Sequence, residues 1–383
     1  MALAKMGMKC YTERQINLPP SITRCERQRE ERTMRRIRGT NRTAITAQVL
    51  AVCLFVMLCS GCAGSPKKVS KSGFYFDTII TVTLYGTEDG TYIDHCFALA
   101  SEYEHKLSNT LPDSEITNIN EHAGQFETVS SDTLELIQAG MHYGELSGGK
   151  FDITIGKLSG LWNISEIAKN SQDDDNKAAP SVLPNAGDVE EALSHVDYQN
   201  IIIEHNQVML TDPGAAIDLG GIAKGYIADR MREYLRGEGI TAGIINLGGN
   251  VLTLGEKADH ATYSIGIQKP FGDSGELLGV IKVKDASVVS SGIYERYFRV
   301  DGKLYHHILD TGTGYPAEND LTQVTIISPY SADGDALSTT CFVLGLTDGM
   351  ALAESLDAIE AIFVTEDGSL HFTSGFGGEL TFE

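Results

Sequence analysis

The sequence predicts an α+β fold, a single domain of mixed short strands with interspersed helices behind an N-terminal export segment. Three observations carry that prediction. Segments rich in β-branched and aromatic residues recur at strand length, and stretches with apolar residues at helical spacing separate them. No internal repeat and no Pro-rich linker divides the chain beyond residue 72. Hydrophobic residues make up 42% of the chain, enough for a full core, which excludes a disordered, collagenous or coiled-coil protein.

The elements follow in order. Residues 74–85, FYFDTIITVTLY, read as one strand. Residues 92–107 place Ile93, Phe97, Ala100 and Leu107 at helical spacing. Residues 109–124 read as a polar loop or short helix. An amphipathic helix over 133–147 ends at Gly148-Gly149. Residues 165–187, with QDDDN and two prolines, read as a loop, and a short helix starts at Asp188. Residues 200–204 and 207–211 suit a hairpin. Residues 221–235 read as a helix stopped by Gly237, and 243–249 as a strand with a glycine-rich end. The remainder alternates strands with helices over 335–344 and 350–356.

Charge separates the export segment from the domain. The formal net charge is −22, but residues 1–61 hold eleven Lys and Arg against four acids. The rest is therefore strongly acidic and repels phosphate backbones, so nucleic acid is not an expected partner. The basic block ends at Arg42, and an apolar run, AITAQVLAVCLFVML, follows over 44–58. That run is short of the ~20 residues that span a bilayer comfortably. A basic region, a short apolar region and small residues before a break make an export signal. Ser60-Gly61-Cys62 resembles a bacterial lipobox, which implies a lipidated Cys62 as the mature N-terminus; an uncleaved anchor helix is the alternative. The expected organisation is therefore an export region over 1–61, with translation starting at Met34 and a genuine N-terminal extension over 1–33 as the alternative, a lipidated tether over 62–72 and the domain over 73–383. The expected location is extracytoplasmic, anchored to the bacterial cell membrane. Of seven cysteines, only Cys96 and Cys341 lie in the domain, which makes no disulfide framework.

Four clusters have residues suited to chemistry. Ile217-Asp218-Leu219-Gly220-Gly221-Ile222-Ala223-Lys224-Gly225 opens a helix with three glycines and a lysine. Its amides can cradle phosphate with help from the helix dipole, or it is an ordinary strand-to-helix turn. It is neither a Walker A loop nor a GxGxxG fingerprint. Asp335 and Thr339 stand at i and i+4 on one helix face, hard oxygens that suit Mg²⁺; an N-cap role for Asp335 weighs equally. His306-His307 follows a strand-like segment; such a pair is a general base or, more commonly, structural. GGKFDITIG over 148–156 reads as a glycine-bracketed strand with one acid, Asp152, whose simplest role is a buried, hydrogen-bonded carboxylate.

In this order and spacing the clusters resemble the ApbE family of FAD:protein FMN transferases. The matching stretches are FYFDT at 74–78, LSNTLPDSEITNIN at 107–120, GGKFDITIGKLSGLW at 148–162, IDLGGIAKGYIAD at 217–229, INLGGN at 245–250, SSGIYER at 290–296, YHHILDTGTGYP at 305–316 and DALSTT at 335–340. The resemblance implies an ApbE-like domain that transfers the FMN moiety of FAD to a threonine hydroxyl and releases AMP. It implies a Mg²⁺ site of Asp335, Thr339 and the Gly221 carbonyl. It implies FAD contacts at Phe76, Phe151, Asp152, Asp218, Lys224 and Ile308, and a reactive histidine at His307. Phe76 stands where the family often has Met, and Thr110 where an aromatic is common. The implied partners are FAD, an exported or membrane-facing acceptor flavoprotein subunit of a redox pump or FMN-binding reductase, and the membrane through the lipid anchor. An FAD pyrophosphatase and a non-catalytic flavin-binding lipoprotein are the alternatives. A base at His307 would titrate near the unperturbed value of about 6.5.

Overall fold

The protein is described as a computed structural model covering residues 67–171, 177–257, 260–273 and 275–377. In chain order its strands are β1 (Lys68–Tyr75), β2 (Thr78–Tyr85), β3 (Glu127–Thr128), β4 (Ile201–Glu204), β5 (Gln207–Leu210), β6 (Gly243–Leu247), β7 (Asn250–Leu254), β8 (Tyr263–Gln268), β9 (Leu277–Val283), β10 (Ser287–Gly292), β11 (Tyr297–Val300), β12 (Lys303–His306), β13 (Leu321–Ser328), β14 (Glu360–Thr365) and β15 (Leu370–Phe372). The helices are α1 (Thr91–Leu107), α2 (Glu115–Glu121), α3 (Ser131–Leu146), α4 (Gly156–Trp162), α5 (Ile164–Ser171), α6 (Ala186–Leu193), α7 (Ala223–Gly237) and α8 (Ser331–Ser355).

Eight strands form one antiparallel sheet in the order β1-β2-β6-β7-β10-β13-β14-β15. Alternation along β10 assigns its two faces. Val289 lies against Gly334 of α8, whereas Val288 packs with Ile265 and Ile281 of the β8–β9 hairpin. Helices α1, α7 and α8 therefore cover one face, and the β8–β9 hairpin covers the other. A smaller apolar cluster joins Leu158 and Trp162 of α4, Ile164 of α5, Val189 of α6 and Phe298 of β11. Trp162 Nε1 donates to the Gly314 carbonyl at 2.7 Å, tying that cluster to the 305–316 segment.

Several expectations need correction. The strand over 74–85 is two strands: Phe76 and Asp77 have φ of 51° and 56° and turn the chain back on itself. Residues 68–72 belong to β1 and not to a tether. Their polar side chains face solvent across the edge, where Ser70 and Ser72 hydroxyls lie 2.7 and 2.8 Å from those of Thr83 and Thr81. The stretch over 148–156 is not a strand; only an isolated bridge, Ile155 to Ala216, forms there. The loop expected from Ser165 contains α5, which Asn163 separates from α4 by adopting the left-handed conformation at φ 43°. The helices over 335–344 and 350–356 run as one element, interrupted at Gly345 (φ 78°). The expected lipidation site, Cys62, and the export region lie outside the described residues.

Helices α7 and α8 cap each other. Asp229 of α7 accepts from the Ser331 and Ala332 amides that open α8, at 3.0 and 2.9 Å. Asp335 of α8 accepts from the Gly225 amide in the first turn of α7, at 3.0 Å. First-turn amides have no partner within their own helix, so each carboxylate satisfies donors that the other helix leaves open. Arg232 binds Asp229 at 2.8 Å and donates to the Pro329 carbonyl at 2.7 Å. The close crossing needs glycine at 225, where a Cβ would fall 2.2 Å from the Ser331 carbonyl oxygen.

Gly225→Ala is expected to destabilise the domain by about 1–3 kcal/mol, because backbone cannot move aside cheaply. Gly237→Ala, with open space around its Cβ at the end of α7, is expected to be neutral or to stabilise by about 0.5–1 kcal/mol. Urea unfolding midpoints at constant m-value measure both.

Candidate active site

The turn that leads into α7 is held from three sides. Asn120 of α2 clamps Ile217, accepting from its amide at 2.6 Å and donating to its carbonyl at 2.9 Å. The Asp218 amide donates to the Ile153 carbonyl at 2.7 Å. The Asp218 carboxylate accepts from Ser159 Oγ at 2.7 Å and from the Gly220 amide at 2.8 Å. Asp218 therefore shapes the turn before it contacts any ligand. Phe151 lies beneath the turn, since a Cβ at Gly221 would come 3.0 Å from its ring. That ring is buried and meets Tyr143 edge-on, and Tyr143 OH donates to Asp333 at 2.6 Å.

Lys224 connects the turn to α8. Its Nζ lies 3.2 Å from the Gly220 carbonyl oxygen and 3.5 Å from Asp335 Oδ1. A positive charge is thus already accommodated between a turn carbonyl and a buried carboxylate. Thr339 follows Asp335 by one helical turn on the same face. Among the described residues no three His, Cys, Asp or Glu side chains cluster as metal ligands. One carboxylate, one hydroxyl and turn carbonyls are the sparse hard-oxygen set that Mg²⁺ takes when phosphate supplies further ligands, so these residues fit that ion. Asp335 is not an N-cap of its own helix, which Tyr330 precedes; it caps α7 instead.

The two histidines differ. His306 is buried, with Nε2 on the Ala317 carbonyl at 3.0 Å and Nδ1 accepting from the Ile308 amide at 3.3 Å. Burial pushes its pKa down to about 4. His307 is half-buried, and its Nδ1 donates to the Arg296 carbonyl at 3.3 Å, which leaves Nε2 as the lone-pair nitrogen. Enclosure by protein, then the charge of Arg296, and further that of Lys224, hold His307 well below the usual imidazole range. The expected titration near 6.5 is therefore corrected: the ring is neutral at pH 7 and already competent to accept a proton.

The structure brings Asp218, Gly221, Lys224 and Asp335 together around the turn, with Phe151 as its floor, and Thr339 lies one helical turn beyond Asp335. Asp152 plays the simpler role: its carboxylate accepts from Thr154 and the Tyr198 amide and fixes two loops. Ile308 is buried, its amide on His306 and its carbonyl accepting from Ala317. Phe76 occupies the β1–β2 turn, its amide held by Glu104 at 2.7 Å and its side chain half-buried against the main core.

The sequence left two positioning residues unassigned, Asn120 and Ser159, although both lie in the quoted stretches. Glu295 was also unassigned. It lines a cavity of about 290 Å³ with Ala168, Gln268, Phe271, Tyr294 and Tyr297. Enclosure by the surrounding protein raises its pKa, while the Arg296 and Lys224 charges lower it and that of Asp335 raises it.

With this geometry in place, comparisons with known proteins are informative. The model of the ApbE family matches residues 76–363. The chain belongs to the ApbE family. An FAD:protein FMN transferase of Klebsiella pneumoniae is 38% identical over 308 residues, covering 80% of this chain and 92% of the relative. One from Treponema pallidum is 32% identical over 346 residues, covering 84% and 92%. Among solved structures, an ApbE protein of Thermotoga maritima matches with a TM-score of 0.71 at 32% identity, covering 81% of this chain and 98% of its own. The Vibrio cholerae flavin transferase ApbE matches at 0.72 and 27% identity, covering 82% and 99%. The expected α+β architecture is thus that of the ApbE family.

Two measurements check the histidine assignment. Proton NMR of the imidazoles is expected to show His307 without a titration step between pH 6 and 7.5. Domain stability is expected to fall as pH drops from about 6.5 toward 4. The unfolded chain takes up protons on His306 and His307 in that window while the folded chain does not.

Proposed function

We propose that this ApbE-family protein transfers the FMN half of FAD to a hydroxyl of an acceptor protein and releases AMP, with Mg²⁺ held by Asp335, Thr339 and the Gly221 carbonyl. The observation that carries the proposal is the Lys224 ammonium between the Gly220 carbonyl and Asp335, at the glycine turn that opens α7 and within electrostatic reach of a neutral His307. The family relatives carry the same activity in their names.

Each residue has a defined task. Asn120, Ser159 and Asp218 hold the turn so that the positive end of the α7 dipole faces the pyrophosphate. Lys224 neutralises charge there. When bound, Mg²⁺ supplies electrostatic stabilisation of the charge that develops on phosphate oxygens. His307 Nε2 takes the proton of the acceptor hydroxyl as its oxygen bonds to the FMN-side phosphorus. The bridging P–O bond breaks, and AMP leaves with the electron pair. The Arg296 main-chain carbonyl accepts from His307 Nδ1, so the tautomer it holds leaves Nε2 without a proton.

The segment before Pro66 supports export and lipid anchoring at Cys62, which would hold the domain at the extracytoplasmic membrane face. Acceptors in reach would be exported or membrane-facing flavoprotein subunits. The domain itself begins its sheet at Lys68, so the anchor-to-sheet segment is only a few residues long.

The test is incubation of the purified protein with FAD and Mg²⁺, with and without an acceptor, read by in-gel flavin fluorescence and AMP release. Fluorescent acceptor with stoichiometric AMP supports transfer; AMP release with no labelled acceptor indicates hydrolysis instead. Asp335→Asn, which keeps an oxygen for the Gly225 amide, is expected to lower transfer by about 10²–10³ with the fold retained. His307→Asn is expected to lower transfer by about 10²–10⁴ while FAD affinity, measured by fluorescence quenching, changes little. A proportional loss of both would make His307 a binding residue.

A further inference from the structure

The inner face of β10 runs along α8 in a fixed register. Ser287 Oγ donates to Ser331 Oγ at 2.9 Å, Val289 packs on Gly334, and Ser291 Oγ reaches Ser338 Oγ at 2.8 Å and Thr339 Oγ1 at 3.2 Å. Residues two apart on the strand thus meet residues about one turn apart on the helix. The last contact joins three hydroxyls, and a hydroxyl has only one proton to donate.

That limit sets the direction of every bond. Ser338 Oγ is 3.0 Å from the Asp335 carbonyl, which can only accept, so the Ser338 proton is committed there. The Ser291–Ser338 contact then requires Ser291 to donate. With its proton committed, Ser291 can only accept from Thr339. We infer that Ser291 and Ser338 form a directional hydroxyl relay that draws the Thr339 proton inward and leaves the Thr339 Oγ1 lone pairs facing the cation position. This rests on the metal assignment of Asp335 and Thr339 and extends it to two positioning residues that touch no ligand.

Ser338 is fully buried and Ser291 half-buried, so water does not replace either partner freely. Without Ser291, the Thr339 hydroxyl loses its acceptor and is free to point its proton at the cation. Without Ser338, Ser291 is released to donate to Thr339, which reverses the bond. Partners that orient metal ligands in this way typically change metal affinity by about 10–100-fold.

The experiment uses the full chain and Mn²⁺ as the probe, with free metal measured by electron paramagnetic resonance, and urea midpoints of each variant confirm folding. Ser291→Ala and Ser338→Ala are each expected to weaken Mn²⁺ binding about 10-fold or more. Ser291→Thr, which keeps the hydroxyl on a strand that tolerates β-branching, is expected to restore it. The double variant is expected to bind no more weakly than Ser291→Ala, because the relay is already broken. Wild-type affinity in Ser291→Ala, or additive losses in the double variant, would overturn the relay while leaving the metal site standing. Equal Mn²⁺ binding by wild type and Asp335→Asn would instead overturn the metal assignment on which the relay depends.

Discussion

The exchange of capping carboxylates between α7 and α8 is the constraint on which the rest of the site depends. Asp229 satisfies the amides that open α8, and Asp335 satisfies one that opens α7. Two helix N-termini, both positive ends of dipoles, are thereby brought together at a glycine crossing. Two positive ends would repel without negative charge between them, and the carboxylates supply it. Asp335 therefore has a structural role before any catalytic one. Its Oδ2 holds α7, and its Oδ1 faces Lys224.

This arrangement explains why the glycine turn and the first turns of α8 keep a fixed spacing. The turn is tied to α2 through Asn120, to α4 through Ser159, and to α8 through Gly225 and Lys224. The His307 imidazole, the proposed base, comes from a separate unit, the end of the β11–β12 hairpin, and its orientation comes from a main-chain carbonyl at Arg296. A backbone acceptor carries no titration of its own, so the His307 tautomer is fixed independently of pH.

Local physics made part of this legible in the sequence. The amphipathic spacing of 92–107 and the Gly148-Gly149 stop located α1 and α3 to within two residues, because both signals are local. The resemblance located the Asp335, Lys224 and His307 positions. The β1–β2 turn was not legible: its central residues are Phe76 and Asp77, with none of the Asn-Gly or Gly-Gly chemistry that usually marks such turns. The strand over 68–72 was hidden by serines and lysines, which suit a solvent-facing edge as well as a tether. Asp152 and Ile308 lie at matched positions, yet their polar groups are consumed inside the protein. The mutual capping joins residues about a hundred positions apart, and no single-chain pattern predicts which carboxylate reaches which amide.

Native-state hydrogen exchange at Gly225, Ser331 and Ala332 tests the central claim most directly. First-turn amides of helices ordinarily exchange through local fraying, since they lack intrahelical partners. If Asp229 and Asp335 hold the two termini together, these three amides exchange only through global unfolding, with protection equal to that of the centres of α7 and α8. Exchange at local fraying rates, while the helix centres remain protected, would contradict the account.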